Sequence, residues 1–268
     1  MQKLTFKVRA LHDVLCVDDL SGQGSLVEQV YALLRKLIID LSLPPEFALV
    51  EQDVAGELKV SKTPVREAII RLAREGLVNV VPKSGSYITP ISLDRYLEAC
   101  FVRTQLEVGC VRRVAIQGVS LADQVRLKAH ITEQQEALRK DDDVGFFESD
   151  EAFHRCLFDL AGLPGVWEML NVTKAELDRV RHLKRQFGIR QRKLVIEEHD
   201  ALITAIIDRD PATAERALLE NIGAVDDEIT SISENPQLLR TIQDLNELVA
   251  LDQRSRGGRL VGKTSSWT

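Results

Sequence analysis

Two groups of residues in this sequence have the types and spacing to do chemistry. The first is Asp150-x-x-x-His154, answered later in the chain by Glu198-His199. On a helix, Asp150 and His154 stand one turn apart and project together. A carboxylate and an imidazole so placed can ligate a metal ion, with His199 from a facing helix as a third ligand. Histidines on amphipathic helices also serve as satisfied core or boundary residues, and spacing alone does not choose between the two. The second group is Ser61-Lys62-Thr63-Pro64-Val65-Arg66. Lys62 and Arg66, four apart, share one helix face. Ser61 and Thr63 can donate to phosphates at a helix N-terminus, where backbone amides and the helix dipole already favour anions. Arg66 has the planar fork for bidentate contact with a guanine edge. This is the chemistry of DNA recognition.

Overall charge sharpens that reading. The chain has 35 Lys and Arg against 41 Asp and Glu, a net charge of −6, so as a whole it repels nucleic acid. Any DNA contact must come from a local basic patch. Between Lys59 and Arg74 the cations are Lys59, Lys62, Arg66, Arg71 and Arg74, and the only acid is Glu67. A charge run usually means a solvated helix face. That meaning leaves unexplained the turn before this run and the hairpin after it, where Lys83 and Gly85 occupy the tip.

The elements that must position these residues follow from periodicity and punctuation. Val27, Val30, Leu34, Leu37 and Ile38 form a helical stripe that Pro44-Pro45 stops. Gln52 to Leu58 is a short helix, and Lys59-Val60 makes a turn. Ser61 or Thr63 can cap the next helix, with Ala68, Ile69, Leu72 and Ala73 buried and Gly76 ending it. Leu77–Val81 and Tyr87–Thr89 are strand-like around a Pro82–Ser86 turn. After Pro90 the chain is almost continuous amphipathic helix. Helices are expected at about 93–117, 120–140, 143–161, 165–187, 190–208, 211–234 and 236–251. The fold class is therefore mainly α: an N-terminal winged helix-turn-helix, then an all-α antiparallel bundle. The expected domains are a flexible extension at 1–24, the DNA-binding head at 25–91, an effector-binding and dimerisation bundle at 92–251, and a disordered tail at 252–268.

Composition excludes other classes. Apolar residues make up 44 % and charged residues 28 %, as in soluble globular proteins. No apolar run reaches membrane-spanning length, and no secretion signal is evident. Cys16, Cys100, Cys110 and Cys156 show no C-x-x-C pairing, so they read as buried small hydrophobes in a reduced, cytoplasmic setting.

Val60-Ser61-Lys62-Thr63-Pro64-Val65-Arg66-Glu67-Ala68 closely resembles the V-S-R-T-P-V-R-E-A signature of GntR-family transcriptional regulators. Glu75-Gly76-Leu77-Val78 and the Pro82 to Gly85 wing extend the likeness. The resemblance implies DNA contacts at Ser61, Lys62, Thr63, Arg66 and the wing. Lys62 stands where Arg is usual, a point charge in place of a fork, and Gln52 stands where some members carry a DNA-contacting Arg. Asp150-Glu151-Ala152-Phe153-His154, Glu198-His199-Asp200-Ala201-Leu202 and Asp210-Pro211-Ala212-Thr213-Ala214 resemble the C-terminal FCD domain of the FadR subfamily. Many such domains hold a divalent ion, zinc or nickel, through Asp, His, His and a third His. The first three match Asp150, His154 and His199, and the fourth position falls at Asn221, whose amide is a poorer ligand. The resemblance also implies an arginine that meets a carboxylate effector, here Arg103.

The expected function is a sequence-specific, DNA-binding transcriptional regulator of a metabolic operon. It would act as a homodimer on a pseudo-palindromic duplex operator, and family habit points to repression. A small carboxylate bound near Arg103 and Asn221 would control it. Arg71, Lys83 and Gly85 complete the expected DNA contacts. The alternative is a metal-dependent enzyme built on Asp150, His154 and His199, although no H-E-x-x-H or nucleophile elbow accompanies them.

Overall fold

The computed structural model describes residues 8–20, 22, 24–189 and 191–255. The chain forms two compact units. The first comprises Met1–Ser92, Asp178–His182 and Asn235–Thr268, and the second comprises Leu93–Leu177 and Leu183–Glu234.

In the first unit, α1 (Leu11–Val14) and a 3-10 turn (Val17–Leu20) precede α2 (Leu26–Ile39). The extension expected to be flexible thus contains two helical turns and buries Leu15, which gives it an apolar anchor. Residues 1–7, 21 and 23 lie outside the described residues. Cys16 departs from expectation too. It is exposed, between the two turns, while the other three cysteines are buried thiols.

Helix α2 starts with a capping box. The Ser25 amide donates to Glu28 Oε2 at 2.7 Å, and the Glu28 amide donates to Ser25 Oγ at 3.3 Å. Its buried stripe of Val30, Leu34, Leu37 and Ile38 packs on α4 (Lys62–Arg74), which follows α3 (Glu51–Glu57). The turn between α3 and α4 places Lys59 at φ 52° and closes with the Val60 amide on the Ala55 carbonyl. Val65, Ala68, Ile69 and Leu72 bury the inner face of α4. Strand β1 (Val78–Val81) pairs antiparallel with β2 (Gly85–Ile88), Val78 opposite Ile88 and Val81 opposite Gly85. The expected two-strand hairpin gains a third edge, because residues 46–49 bond to β2 through Glu46 and Leu49.

Two further pieces complete this unit. Asp178 and Arg179 come from α9 (Ala175–Gln186). Arg179 donates to the Thr89 carbonyl at 2.7 Å and to the Pro90 carbonyl at 3.2 Å. The last helix, α13 (Pro236–Ser255), buries Leu238, Ile242 and Leu245, and its Asn246 bonds both the amide and the carbonyl of Ile91. The helical periodicity predicts this helix as part of the bundle, ending at 251. It belongs instead with the first unit and runs to Ser255; the rest of the expected tail, 256–268, lies outside the described residues.

The second unit is all helical: α5 (Leu93–Gln117), α6 (Leu121–Lys140), α7 (Asp143–Leu160), α8 (Pro164–Thr173), the two ends of α9, α10 (Arg192–Ile207), α11 (Pro211–Ile222) and α12 (Val225–Ser233). Short links such as 141–142 and 208–210 turn successive helices back on each other. The core gathers Val111, Val114, Leu127, Phe153, Leu157, Phe158, Leu202, Ile206 and Leu218. Two helices expected to be continuous are broken. The 165–187 helix divides at Lys174, whose ammonium is drawn into the unit by Glu151 and lies 5.4 Å from the centre of the Trp167 ring. The 211–234 helix divides at Gly223, which takes φ 80°.

Candidate functional site

The first candidate is the outer face of α4. Every sequence-predicted DNA contact is exposed: Ser61, Lys62, Thr63, Arg66 and Arg71 on this helix, and Lys83 and Gly85 on the wing. Burying Val65, Ala68 and Leu72 on the inner face turns Lys62 and Arg66 outward. Ser61 is the N-cap residue but makes no side-chain cap bond, so the first-turn amides keep their donors for an anion. Lys62 Nζ donates to Gln52 Oε1 at 2.9 Å, tying the start of α3 to the start of α4. Arg71 lies 6.0 Å from the centre of the Tyr31 ring, at the limit of a cation–π contact. At the wing tip Lys83 takes φ 63° and Gly85 φ 135°. A Cβ on Gly85 would meet nothing closer than 3.6 Å, so backbone conformation rather than crowding calls for glycine there.

Behind the recognition helix lies a charged anchor. Glu75, the C-cap residue of α4, is buried and accepts from Tyr31 Oη at 2.5 Å and from Arg35 Nε at 2.9 Å. Arg35 also pairs with Asp178 at 2.9 Å. Burial and then the Glu75 carboxylate push the Tyr31 phenol far above its usual range. Sequence reasoning missed this network because its members lie far apart in the chain.

The second candidate is buried in the helical unit. Asp150 and His154 on α7 and His199 on α10 come together, with one ligand atom from each within 4.8 Å of the others. His199 Nε2 lies 3.6 Å from Asp150 Oδ1. Each imidazole is held through Nδ1: His154 by Glu107 of α5 at 2.7 Å, His199 by Gln134 of α6 at 3.0 Å. Phe153 stacks on His199 with ring centres 4.1 Å apart. With Nδ1 of His154 engaged, its Nε2 is the ring nitrogen that faces an ion. His154 Nε2 is buried with no hydrogen-bond partner among the described residues. A buried nitrogen without a partner, beside a second imidazole and a carboxylate, fits a borderline divalent cation.

Glu107 and Gln134 were not foreseen. They orient the two imidazoles as outer partners orient metal-bound histidines. Burial alone would raise the Glu107 carboxyl, but Arg103 and then His154 outweigh it and hold it at about 2. Arg103 itself, expected to face an incoming carboxylate, is buried and donates Nε to Glu107 Oε1 at 2.5 Å. Its own helix supplies the carboxylate at i+4, and that spacing was legible. Asn221 is buried on α11, and its amide nitrogen donates to Glu198, the neighbour of His199, at 3.2 Å.

Comparison with known proteins identifies both parts. Residues 26–88 match the bacterial regulatory proteins of the gntR family, and residues 98–224 match the FCD domain. An HTH-type transcriptional regulator from an unstable DNA locus of Streptomyces ambofaciens is 34 % identical over 214 residues, spanning 79 % of this chain and 89 % of the relative. The HTH-type transcriptional repressor RspR of Escherichia coli K12 is 29 % identical over 205 residues, spanning 76 % and 89 %. Among solved structures, McbR/YncC of E. coli shares the fold with a TM-score of 0.66 at 22 % identity, covering 79 % of this chain and 99 % of that one. The relatives are transcriptional regulators, which decides against the enzyme alternative. No helix among the described residues is long and apolar enough to cross a membrane. The chain belongs to the GntR family of bacterial regulatory proteins and is a DNA-binding transcriptional regulator with an FCD domain C-terminal to its winged helix-turn-helix.

Proposed function

We propose that this regulator is a cytoplasmic repressor that binds a pseudo-palindromic operator of a metabolic operon as a homodimer. The observation that carries the reading is the exposed row of Ser61, Lys62, Thr63 and Arg66 at the open end of α4, with Lys83 and Gly85 at the wing tip. Arg66 reads a base edge, while Lys62 and Thr63 fix the helix on the phosphates. Arg71 adds a further phosphate contact from the next turn. The sign of regulation draws support from RspR, a relative named as a repressor.

Asp150, His154 and His199 would hold one divalent ion, zinc or nickel, with Glu107 and Gln134 setting the imidazole orientations. When bound, the ion supplies a positive centre that attracts the carboxylate of a small effector. Asn221 offers that effector an amide from α11. Arg103 already binds the Glu107 carboxylate through Nε, so it meets an effector carboxylate with its terminal nitrogens. The effector changes operator affinity only as far as it binds the DNA-competent and incompetent states differently.

The test is selection of bound duplexes from a random pool, then anisotropy titration with wild type and Arg66→Ala. A single enriched inverted repeat, bound more weakly by the variant, is expected. Equal binding of all duplexes by both proteins would refute the reading. Adding small organic acids with and without zinc or nickel then asks whether affinity responds. No change with any acid, metal present, would refute the effector assignment.

A further inference from the structure

We infer that Ile70 reads the C5 methyl group of a thymine in the operator, close to the base edge that Arg66 meets. The inference rests on the operator-binding reading above and adds to it an apolar specificity contact. Among the described residues of α4, Ile70 is the one large apolar side chain left exposed, at 43 %. A lone apolar side chain on a protein surface is ordinary. What distinguishes Ile70 is where it stands. At about 100° per residue, Lys62, Arg66, Ile70 and Thr63 fall at about 0°, 40°, 80° and 100° around the helix. The buried residues Val65, Ala68, Ile69 and Leu72 occupy the arc from about 240° to 340°. Ile70 therefore lies within the outward face, between Arg66 and Thr63, and away from the edge where the core begins.

The neighbours of Ile70 decide what it meets. Arg66 and Arg74, both exposed, stand one turn before it and one turn after it. Against a polyanion these two cations draw the segment between them onto the duplex. Apart from the thymine methyl, the base edges of the major groove present hydrogen-bond donors and acceptors. Ile70 has neither donor nor acceptor to offer. Set against adenine, guanine or cytosine, it strips water from polar atoms and returns no hydrogen bond. Set against thymine, it covers a methyl group, and two apolar surfaces leave water together. A β-branched side chain on a helix holds one strongly preferred χ1, so little rotamer freedom is lost on contact.

The spacing gives the register. Ile70 is four residues beyond Arg66, about 6 Å along the helix axis. Stacked base pairs repeat every ~3.4 Å. The thymine accordingly falls within about two base pairs of the Arg66 contact.

The experiment starts from the duplex that the full chain enriches from a random pool. The base pair at which Arg66→Ala relaxes selectivity marks the Arg66 contact. Each thymine of that duplex is then replaced in turn by deoxyuridine, which removes the methyl group and nothing else. One thymine, within about two base pairs of the mark, should prove sensitive. Its replacement should weaken wild-type binding about 4-fold, the worth of keeping one methyl-sized group from water. Ile70→Ala should bind the thymine and uridine duplexes alike. Ile70→Val, which keeps a branched apolar end, and Thr63→Ser, which removes a neighbouring methyl group, should both keep the difference. Ile70→Ala should leave the melting temperature and the salt dependence of binding unchanged, because an exposed apolar side chain holds no core together and releases no counterions. The inference is overturned if no thymine is sensitive, if the sensitive one lies farther from the mark, or if Ile70→Ala keeps the wild-type difference. In those three cases the enriched duplex stands, and operator recognition with it. Failure to enrich any duplex overturns operator recognition itself, and the thymine contact falls too.

Discussion

Replacing Glu107 by Gln removes one charge from a chain of three buried groups, Arg103, Glu107 and His154. The Arg103 side chain is only 6 % exposed, so its guanidinium is left as a buried cation without a counter-charge. Breaking a buried pair in this way costs about 3–5 kcal/mol. For a protein of this size that lowers the melting temperature by on the order of 10 °C. The same change removes the carboxylate that holds His154 Nδ1, and losing such an outer partner typically weakens a metal site about 10- to 100-fold. The two losses separate in the double variant Arg103→Met with Glu107→Gln. With no buried charge left over, stability should recover most of the way, since the pair is coupled. Metal affinity should stay low, because His154 still lacks its carboxylate. Thermal unfolding in a chelator reads the first quantity, and competition for zinc against a chromophoric chelator reads the second. If Glu107→Gln moves neither, or if the double variant is less stable than the single one, the electrostatic account of this cluster is wrong.

Three further outcomes are expected. Arg66→Ala should weaken operator binding by about 1–3 kcal/mol and relax selectivity at one base pair, whereas Lys62→Ala should weaken all duplexes alike and reduce the salt slope by about one, both read by anisotropy titration in graded salt. Gly223→Ala should destabilise the fold by more than ~1 kcal/mol in urea melts, since φ is 80° and a Cβ would come 2.8 Å from Glu228 Oε1; an unchanged midpoint would count against the break between α11 and α12. The capping carboxylates Glu28, Asp123 and Asp210 are held below their ordinary values of 4.5, 3.8 and 3.8 by hydrogen bonds from Ser25, Ser120 and Thr213. A depressed folded value means their stabilisation is complete above the ordinary value and is lost as pH falls through the depressed one. Asp123→Asn should therefore flatten part of the fall in stability below about pH 4, seen in urea melts across pH.

What the sequence disclosed and what it withheld divide along chain distance. The apolar stripe of α2, the Lys59-Val60 turn and the outward Lys62 and Arg66 are set by residues within one or two turns of each other, so periodicity and turn signals mark them. Asp150 and His154 are legible for the same reason, being one turn apart on α7. Glu107 and Gln134 reach the same cluster from 47 and 65 residues away, and no local pattern marks them as partners of His154 and His199. The break at Lys174 was hidden because no proline or glycine signals it. At the break Lys174 turns inward, paired with Glu151 and set over the Trp167 ring. The assignment of α13 to the first unit was hidden too, because an amphipathic helix does not say which core it covers, and its Asn246 meets Ile91 from 155 residues away.

The anchor at Glu75 bears on how an acidic protein holds DNA. With a net charge of −6, the chain gains little from long-range attraction, so affinity depends on a few cations held in the right place. A mobile recognition helix would lose conformational entropy on docking, and that loss would fall on the same few contacts. Tyr31 and Arg35 grip the C-terminal end of α4 through Glu75, and Val65, Ala68 and Leu72 seat its inner face on α2 and α3. The open N-terminal end, with Ser61, Lys62, Thr63 and Arg66, is thereby presented from a fixed base. Rigidity at one end of the recognition helix and exposure at the other are two parts of one arrangement. It lets local positive charge act on DNA although the molecule as a whole is negative.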